Sequence, residues 1–581
     1  MSDEYDDLNA KLAQARGLTA IGSRQEAEAL LESVLLALTS RRAGGERDQA
    51  LRLLVLATRA LWRNDQAEAN RLTHELTERY WGAEDDAGTL AARGLLIEWE
   101  IQTRDGQHRI GLEIADRIVL RYGSGQATED LLPVWMSAIV AKATSLAALT
   151  ESSVAIDILD DAVDRFGNDP GVAVPAARAL ALKASLLAGA GGVPASLEAR
   201  ARCIALLRNN DAPAARAVRA LALLDQAIEL KKAGDLTAAL ELLSCLEERY
   251  ADVRPRQRPH LAADALFLDI TYSFAQKAYR HAIEAVERFR NRYDKEPALA
   301  VRMAQAYWIE SRCYEALGGG PDHLLAALDR LIEGYGDARD PRVRFNVARA
   351  LCEKGVVLRA HGYTDDALRC FDEVGERFGS APSPAEGESV ARALYESLVT
   401  HGELGEPTLA EAAGERLREQ FQTQTDIDST HTIGTLLLRS GDQLRARGEH
   451  EPALRLYSAA DDKLSASRDL RLRTLGVRAR LQLAAGLVEL GRIDDAIATF
   501  ASIDSSEPAL AAAEQLEKLE DQRPGGPVNE QRAAALLIKL SALKAMNRKR
   551  EAQATFEQIV SDYGDARSPL LQLIVAEARE P

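Results

Sequence analysis

With 46% hydrophobic and 28% charged residues over 581 positions, the chain has the composition of a folded, soluble protein and not of a disordered one. A formal net charge of −17 argues against a general nucleic-acid binder or a binder of anionic membranes, since both rely on clustered cations. Aromatic residues amount to only 5%, which disfavours β-rich architectures, and a single spherical core of this length is implausible.

The N-terminal run from Met1 to Asp7 is acidic and has no apolar stretch, so no secretory leader is expected, and no apolar run approaches membrane-spanning length. Five cysteines, an odd number, fit a reducing cytoplasm better than a disulfide framework. The excess of Arg over Lys fits codon bias in a GC-rich bacterial genome.

From Gly22 onward one unit recurs, and it reads most clearly between Gly362 and Gly379. There Gly362 ends one helix, while Ala367, Phe371, Val374 and Phe378 form an apolar stripe at helical spacing on the next. Gly379 then supplies a residue free to take the left-handed conformation that stops a helix. Placing a small residue five positions after each turn and an aromatic eleven positions later gives anchors at Ala27, Ala69, Gly111, Ala155, Leu197, Ala239, Ala282, Leu324, Ala367, Ala410, Ala453, Ala496 and Ala552. The intervals stay between 42 and 44 residues until a last one of 56. Turn glycines are read at Gly22, Gly106, Gly192, Gly234, Gly319, Gly362, Gly405, Gly448 and Gly491. Thirteen helical hairpins follow, each too small to bury its own apolar face, so they must stack. Cys203 and Cys245 both fall six residues after an anchor and read as equivalent small buried side chains.

A second pattern precedes each turn. Pro341 stands where a first-turn proline opens a helix, and Pro133, Pro170, Pro297, Pro384 and Pro569 stand at comparable points. The helix that follows carries an Ala-x-small-Leu element, as in Ala348, Ala350 and Leu351 or Ala533, Ala535 and Leu536, whose small residues allow close helix approach. This helix is called A and the anchor-bearing one B. The long last interval contains an additional helix, Ala509 to Asp521, and a loop from Arg523 to Pro527. The chain then ends in a fourteenth helix A with polar Gln572, Glu577, Arg579 and Glu580, suited to capping an exposed core. The expected organisation is therefore an array of twelve hairpins over 1–506, an inserted helix and Pro/Gly loop over 507–531, and a last hairpin with a capping helix over 532–581.

Gly355, Gly362, Ala367, Phe371 and Val374 match the small, turn, small, aromatic and small-apolar spacing of a tetratricopeptide repeat, and the chain resembles that family over almost its full length. The usual unit is about 34 residues, and the additional residues here lie mainly in the B-to-A connections and helix starts. The resemblance implies an all-α, right-handed α-solenoid of about thirteen antiparallel hairpins with a C-terminal capping helix. It also implies a concave groove lined by A helices, with groove-facing positions thirteen, ten, six, three and two residues before each turn.

Those positions hold Arg93, Arg349, Arg392 and Arg478 at minus thirteen, with Arg178 one residue out of register. Lys231, Arg359 and Arg445 stand at minus three, and Leu224, Phe267, Ile309 and Tyr395 at minus ten. Two readings stand: a groove with an apolar floor and guanidinium edges for an acidic, partly apolar peptide, or arginines that cover neighbouring helices and pair with repeated acids. No phosphate loop, dinucleotide fingerprint, zinc-protease motif or nucleophile elbow occurs, and His74-Glu75 is followed by Glu78 where a zinc protease needs a second His. No catalytic residue, cofactor or metal is expected. The function expected is a non-catalytic cytoplasmic scaffold for a protein or peptide partner, with no nucleic-acid or membrane partner. The alternative is a sensor or regulatory subunit of a bacterial signalling or anti-phage defence system acting with a separate effector enzyme, and a remote third is an enzyme.

Overall fold

Among the described residues thirteen have positive φ, one at every expected hairpin turn. Nine are glycines, and the others are Asn64, Thr150, Lys277 and Asn547, at φ of 64°, 70°, 63° and 56°. In repeat nine the amide of Gly362, at φ 83°, donates to Arg359 O, and that of Tyr363 reaches back to Leu358 O. A left-handed residue therefore closes one helix, and two residues later the next begins. In two repeats the glycine that takes this conformation is the one before that read from the sequence: Gly191, not Gly192, and Gly318, not Gly319. A run of glycines does not say which member carries the strain, whereas the helix before it does.

The computed structural model describes residues 2–40, 45–123, 131–167, 169–255, 258–379, 383–492, 547–565 and 569–579, with scattered positions between 495 and 544. Among these residues there is no strand. The A and B helices alternate from α1 (Ser2–Ala20) and α2 (Arg24–Ser40) through α3 (Glu46–Trp62), α4 (Gln66–Tyr80), α5 (Asp86–Arg104), α6 (His108–Arg121), α7 (Leu132–Ala148) and α8 (Ser152–Phe166). They continue as α9 (Ala173–Gly189), α10 (Val193–Leu206), α11 (Pro213–Lys232), α12 (Leu236–Arg249), α13 (Leu261–Ala275) and α14 (Tyr279–Tyr293). Beyond these lie α15 (Ala300–Ala316), α16 (Pro321–Tyr335), α17 (Pro341–Ala360), α18 (Thr364–Phe378), α19 (Pro384–Glu403), α20 (Pro407–Thr423), α21 (Ile427–Ala446), α22 (His450–Ser465) and α23 (Leu470–Glu489). Near the C-terminus are α24 (Lys549–Tyr563) and α25 (Pro569–Ala578). This is the all-α array of helical hairpins that the sequence predicts. The inserted helix and its loop, and the anchor Ala496, lie outside the described residues.

Prolines sit where helices start. Pro133, Pro341 and Pro384 occupy the first turns of α7, α17 and α19, and Pro170 and Pro297 open short 3₁₀ turns leading into α9 and α15. Ser383 and Glu386 add a reciprocal capping box to α19. The anchors are buried in nearly every described repeat, and small residues on the A helices let the B-helix aromatics pack close. A Cβ added to Gly355 of α17 would stand 2.4 Å from Phe371 Cε1 of α18. One added to Gly441 of α21 would meet Tyr457 Cε1 of α22 at 2.5 Å. In repeat five the buried anchor is Ser196, five residues after Gly191, and not the half-buried Leu197. Cys203 thereby falls at the core position seven residues after its anchor and is buried, while Cys245, six after Ala239, is half-buried. The two cysteines are not equivalent.

The chain divides into two compact units, Met1–Lys295 and Glu296–Pro581. Within each, successive A helices touch one another, while B helices pack chiefly on the A helices at either side. In the first unit the array closes on itself, because α1 packs against α11. Tyr5, Leu8, Leu12 and Ala15 of α1 share one core with Ala220, Leu223, Leu224 and Ala227 of α11. The Arg254 amide donates to Ile21 O at 2.9 Å, tying the first hairpin turn to the loop after α12. In the second unit, Val477 and Leu481 of α23 join a core with Leu536, Ile559, Ile574 and Val575, and Gln572 of α25 and Arg579 just after it are exposed.

One stretch, Pro170–Gly189, departs from the expectation that no segment has membrane-spanning character: by length and composition it is long and apolar enough. It carries Arg178 and Lys183, the latter paired with Asp160 of α8, and packs against α7, α8, α10 and α11 as an A helix.

The turn geometry separates two kinds of constraint. Thr150 is β-branched at φ 70°, so Thr150→Gly is expected to stabilise the first unit by on the order of 0.5–1 kcal/mol, the left-handed penalty less glycine's larger unfolded-state entropy. Gly355→Ala is expected to destabilise the second unit by about 1–3 kcal/mol through overpacking against Phe371. Urea unfolding followed by circular dichroism measures both shifts.

Candidate functional site

In the second unit the A-helix side chains form a ladder from helix to helix. The Arg349 guanidinium of α17 lies 3.6 Å from the ring centroid of Trp308 on α15. Arg392 of α19 reaches back to Glu353 of α17 at 2.7 Å. Arg359 of α17 reaches forward to Glu396 and Glu403 of α19 at 2.8 and 2.9 Å. Arg439 of α21 donates to the Tyr395 hydroxyl at 2.9 Å, and Arg445 stands 3.8 Å from Glu489 of α23. Arg478 is half-buried on α23. The predicted arginines therefore sit on one kind of helix face, and most of them bridge consecutive A helices. Burial holds the pKa of Arg349 below the usual arginine range, partly offset by Glu353.

The apolar members are placed less evenly. Tyr395 is buried, Phe267 is half-buried with its ring 6.2 Å from Phe289, and Ile309 is half-buried. With Gly318 as the turn, the residue ten before it is Trp308 and not Ile309, which corrects the floor position of repeat eight and explains the stacking of Arg349 there. A cleft of about 270 Å³ opens beside this point, lined among others by Leu324, Leu328, Val356, Val357 and Ala360, with Arg312 and Glu353 among its polar members.

In the first unit Lys231 is exposed, its ammonium 5.2 Å from the Tyr272 ring centroid. Arg93 of α5 is half-buried and lies 3.5 Å from Asn9 Oδ1 of α1, two hairpins earlier. Because Gly191 is the turn, Arg178 stands thirteen residues before it, in register with Arg93. Arg16, which the sequence reading missed, and Glu100 both stand six residues before their turns, so the same spacing rule applied to the first repeat would have found Arg16.

The remaining reactive side chains are structural. Burial pushes the thiols of Cys203, Cys313 and Cys352 up to about 12 and that of Cys370 to about 11, so they stay protonated at neutral pH. Among the described residues no group of three or more His, Cys, Asp or Glu could hold a metal ion. His74 pairs with Glu78 on an exposed turn of α4.

No family model matches this chain, and no curated protein matches it. Solved structures similar to it include the apo form of RapI, at 12% identity and a TM-score of 0.39 over 68% of this chain and 99% of that one. The apo form of the quorum sensor NprR from B. thuringiensis is similar at 14% identity and a TM-score of 0.34 over 64% of this chain and 99% of that one. The APC/C heterotetramer Cut9–Hcn1 is similar at 13% identity and a TM-score of 0.26 over 94% and 98%.

The bridge between Arg359 and Glu396 is the least solvent-exposed rung, with side chains 21% and 13% accessible. A double-mutant cycle with Arg359→Ala and Glu396→Ala, read by urea unfolding, is expected to give a favourable coupling of about 0.5–1 kcal/mol, the upper part of the range for surface pairs.

Proposed function

We propose that the chain is a non-catalytic cytoplasmic scaffold that holds a segment of a partner protein along its A-helix faces. The ladder in the second unit is the observation that carries this reading. Its guanidinium groups stand part-exposed on one kind of face, already oriented by a neighbouring acid or ring, so a partner's carboxylates meet preorganised forks and little further side-chain freedom is lost. Arg392, for example, is 39% accessible while it faces Glu353. An exposed ion pair of this kind contributes about 0–1 kcal/mol, so exchanging its acid for a partner's is cheap. The cleft beside Val356 and Ala360 would take an apolar side chain of the same segment. The partner that fits is acidic and partly apolar. A net charge of −17 gives no reason to invoke nucleic acid or an anionic membrane.

The second reading, a sensor or regulatory subunit working with a separate effector enzyme, draws support from the first unit, where the first A helix, α1, packs against the sixth, α11. The test of the scaffold reading is affinity purification of the full chain from native lysate with mass spectrometry, beside an Arg349→Glu/Arg392→Glu variant. A partner enriched by the wild type and recovered at least about tenfold less by the variant is the expected result, equivalent to about 1.4 kcal/mol. Absence of any enriched partner, or equal recovery by both, overturns it.

A further inference from the structure

Two consecutive A helices of the second unit carry matching stripes. On α15 Trp308, Arg312 and Glu315 recur at helical spacing, and on α17 Arg349, Glu353, Val356 and Ala360 do the same, so each set lies along one face of its helix. The two faces meet. The guanidinium of Arg349 stands 3.6 Å from the Trp308 ring centroid, and that of Arg312 stands 6.0 Å from the same centroid. Arg312, Glu315, Glu353, Val356 and Ala360 then line the cleft of about 270 Å³, which Leu324 and Leu328 of α16 help to floor. The arginine end and the apolar end are thus two parts of one furrow between α15 and α17.

Within this furrow the acids are already engaged. Glu315 pairs with Arg312, and Glu353 pairs with Arg392 of α19. Arg349 has a ring and no acceptor: among the described residues its guanidinium makes no ion pair and no hydrogen bond. Three guanidinium groups against two carboxylates leave one positive charge beside the cleft. Because Trp308 holds the flat face of Arg349, the N–H edge is the part offered to a ligand. The cleft itself, at about 270 Å³, exceeds the roughly 150 Å³ that holds a benzene ring and falls below the roughly 300–1,000 Å³ that takes a drug-sized ligand. One large side chain suits it. Leu317 and Tyr363, 43% and 58% accessible, stand just beyond the ends of α15 and α17 and add apolar surface there.

We infer that this furrow recognises a short extended motif in a partner protein: a large apolar side chain that fills the cleft, and a carboxylate about three residues away that meets the guanidinium edge of Arg349. The spacing follows from the helix. Arg349 and Val356 are two turns apart on α17, a rise of about 10 Å, which an extended segment covers in about three residues. The inference rests on the scaffold reading and narrows it, because here an unpaired guanidinium and a cavity coincide.

The test is selection of a random dodecapeptide display library on the full chain, followed by fluorescence polarisation with the labelled consensus peptide. Enrichment of Phe, Trp, Leu or Met with Asp or Glu roughly two to four residues away is the expected result. Ala360→Arg, which plugs the cleft from an exposed position, and Arg349→Met, which keeps the stem and loses the fork, are each expected to weaken that peptide at least about tenfold. Arg349→Lys restores only part of the affinity, since an ammonium supplies charge without the fork. Arg369→Met, which removes an exposed guanidinium from the B helix of the same repeat, leaves it unchanged. Circular-dichroism melts check the folding of each variant, and Ala360→Arg decides the matter should Arg349→Met unfold. No enriched motif, a motif without the carboxylate, or affinity unchanged by Ala360→Arg overturns the inference. A partner still recovered in the lysate experiment would then leave the scaffold reading standing, so the two failures are distinct.

Discussion

The architecture depends on a reversal made in two residues and repeated at each turn. A left-handed residue ends helix A, helix B starts at once, and five residues after the turn a side chain no larger than Ala or Ser in most repeats lets the two helices touch. Both conditions are needed. The positive φ at Gly362 does not arise from crowding, since a Cβ there would meet nothing within 4 Å, whereas Gly355 is required for space alone. One glycine serves backbone conformation and the other side-chain packing, and together they set a hairpin whose outer faces stay apolar. That unmet apolar surface is what recruits the next hairpin, so the array grows by nearest-neighbour burial.

Much of this was legible because periodicity survives local variation. The turns at Asn64, Thr150, Lys277 and Asn547 lack glycine, yet the surrounding spacing located their hairpins. What escaped was register wherever two glycines adjoin, as at Gly191 and Gly192 or Gly318 and Gly319. That one-residue ambiguity displaced the anchor from Ser196 to Leu197, the floor residue from Trp308 to Ile309, and Arg178 out of its row. The closure of α1 onto α11 could not be read at all, because an alternation of A and B helices carries no information on how tightly successive hairpins turn.

One row of arginines meets two environments. In the second unit Arg349 stacks on Trp308 and Arg392 faces Glu353, so acid or π-density from the adjacent A helix balances the charge. In the first unit the equivalent Arg93 lies 3.5 Å from Asn9 Oδ1 of α1, and desolvation, opposed by Glu100, depresses the pKa of Arg178.

The bond from the Arg254 amide to Ile21 O alters how this chain must be assembled as it is made. In a purely linear array the first hairpin could settle as soon as the second emerged. Here the core that holds Tyr5, Leu8 and Leu12 includes residues of α11, roughly two hundred residues downstream, and loop closure over that distance is entropically unfavourable but rises only slowly with length. During synthesis α1 leaves the ribosome well before α11, so it completes its set of contacts only once the sixth hairpin has followed.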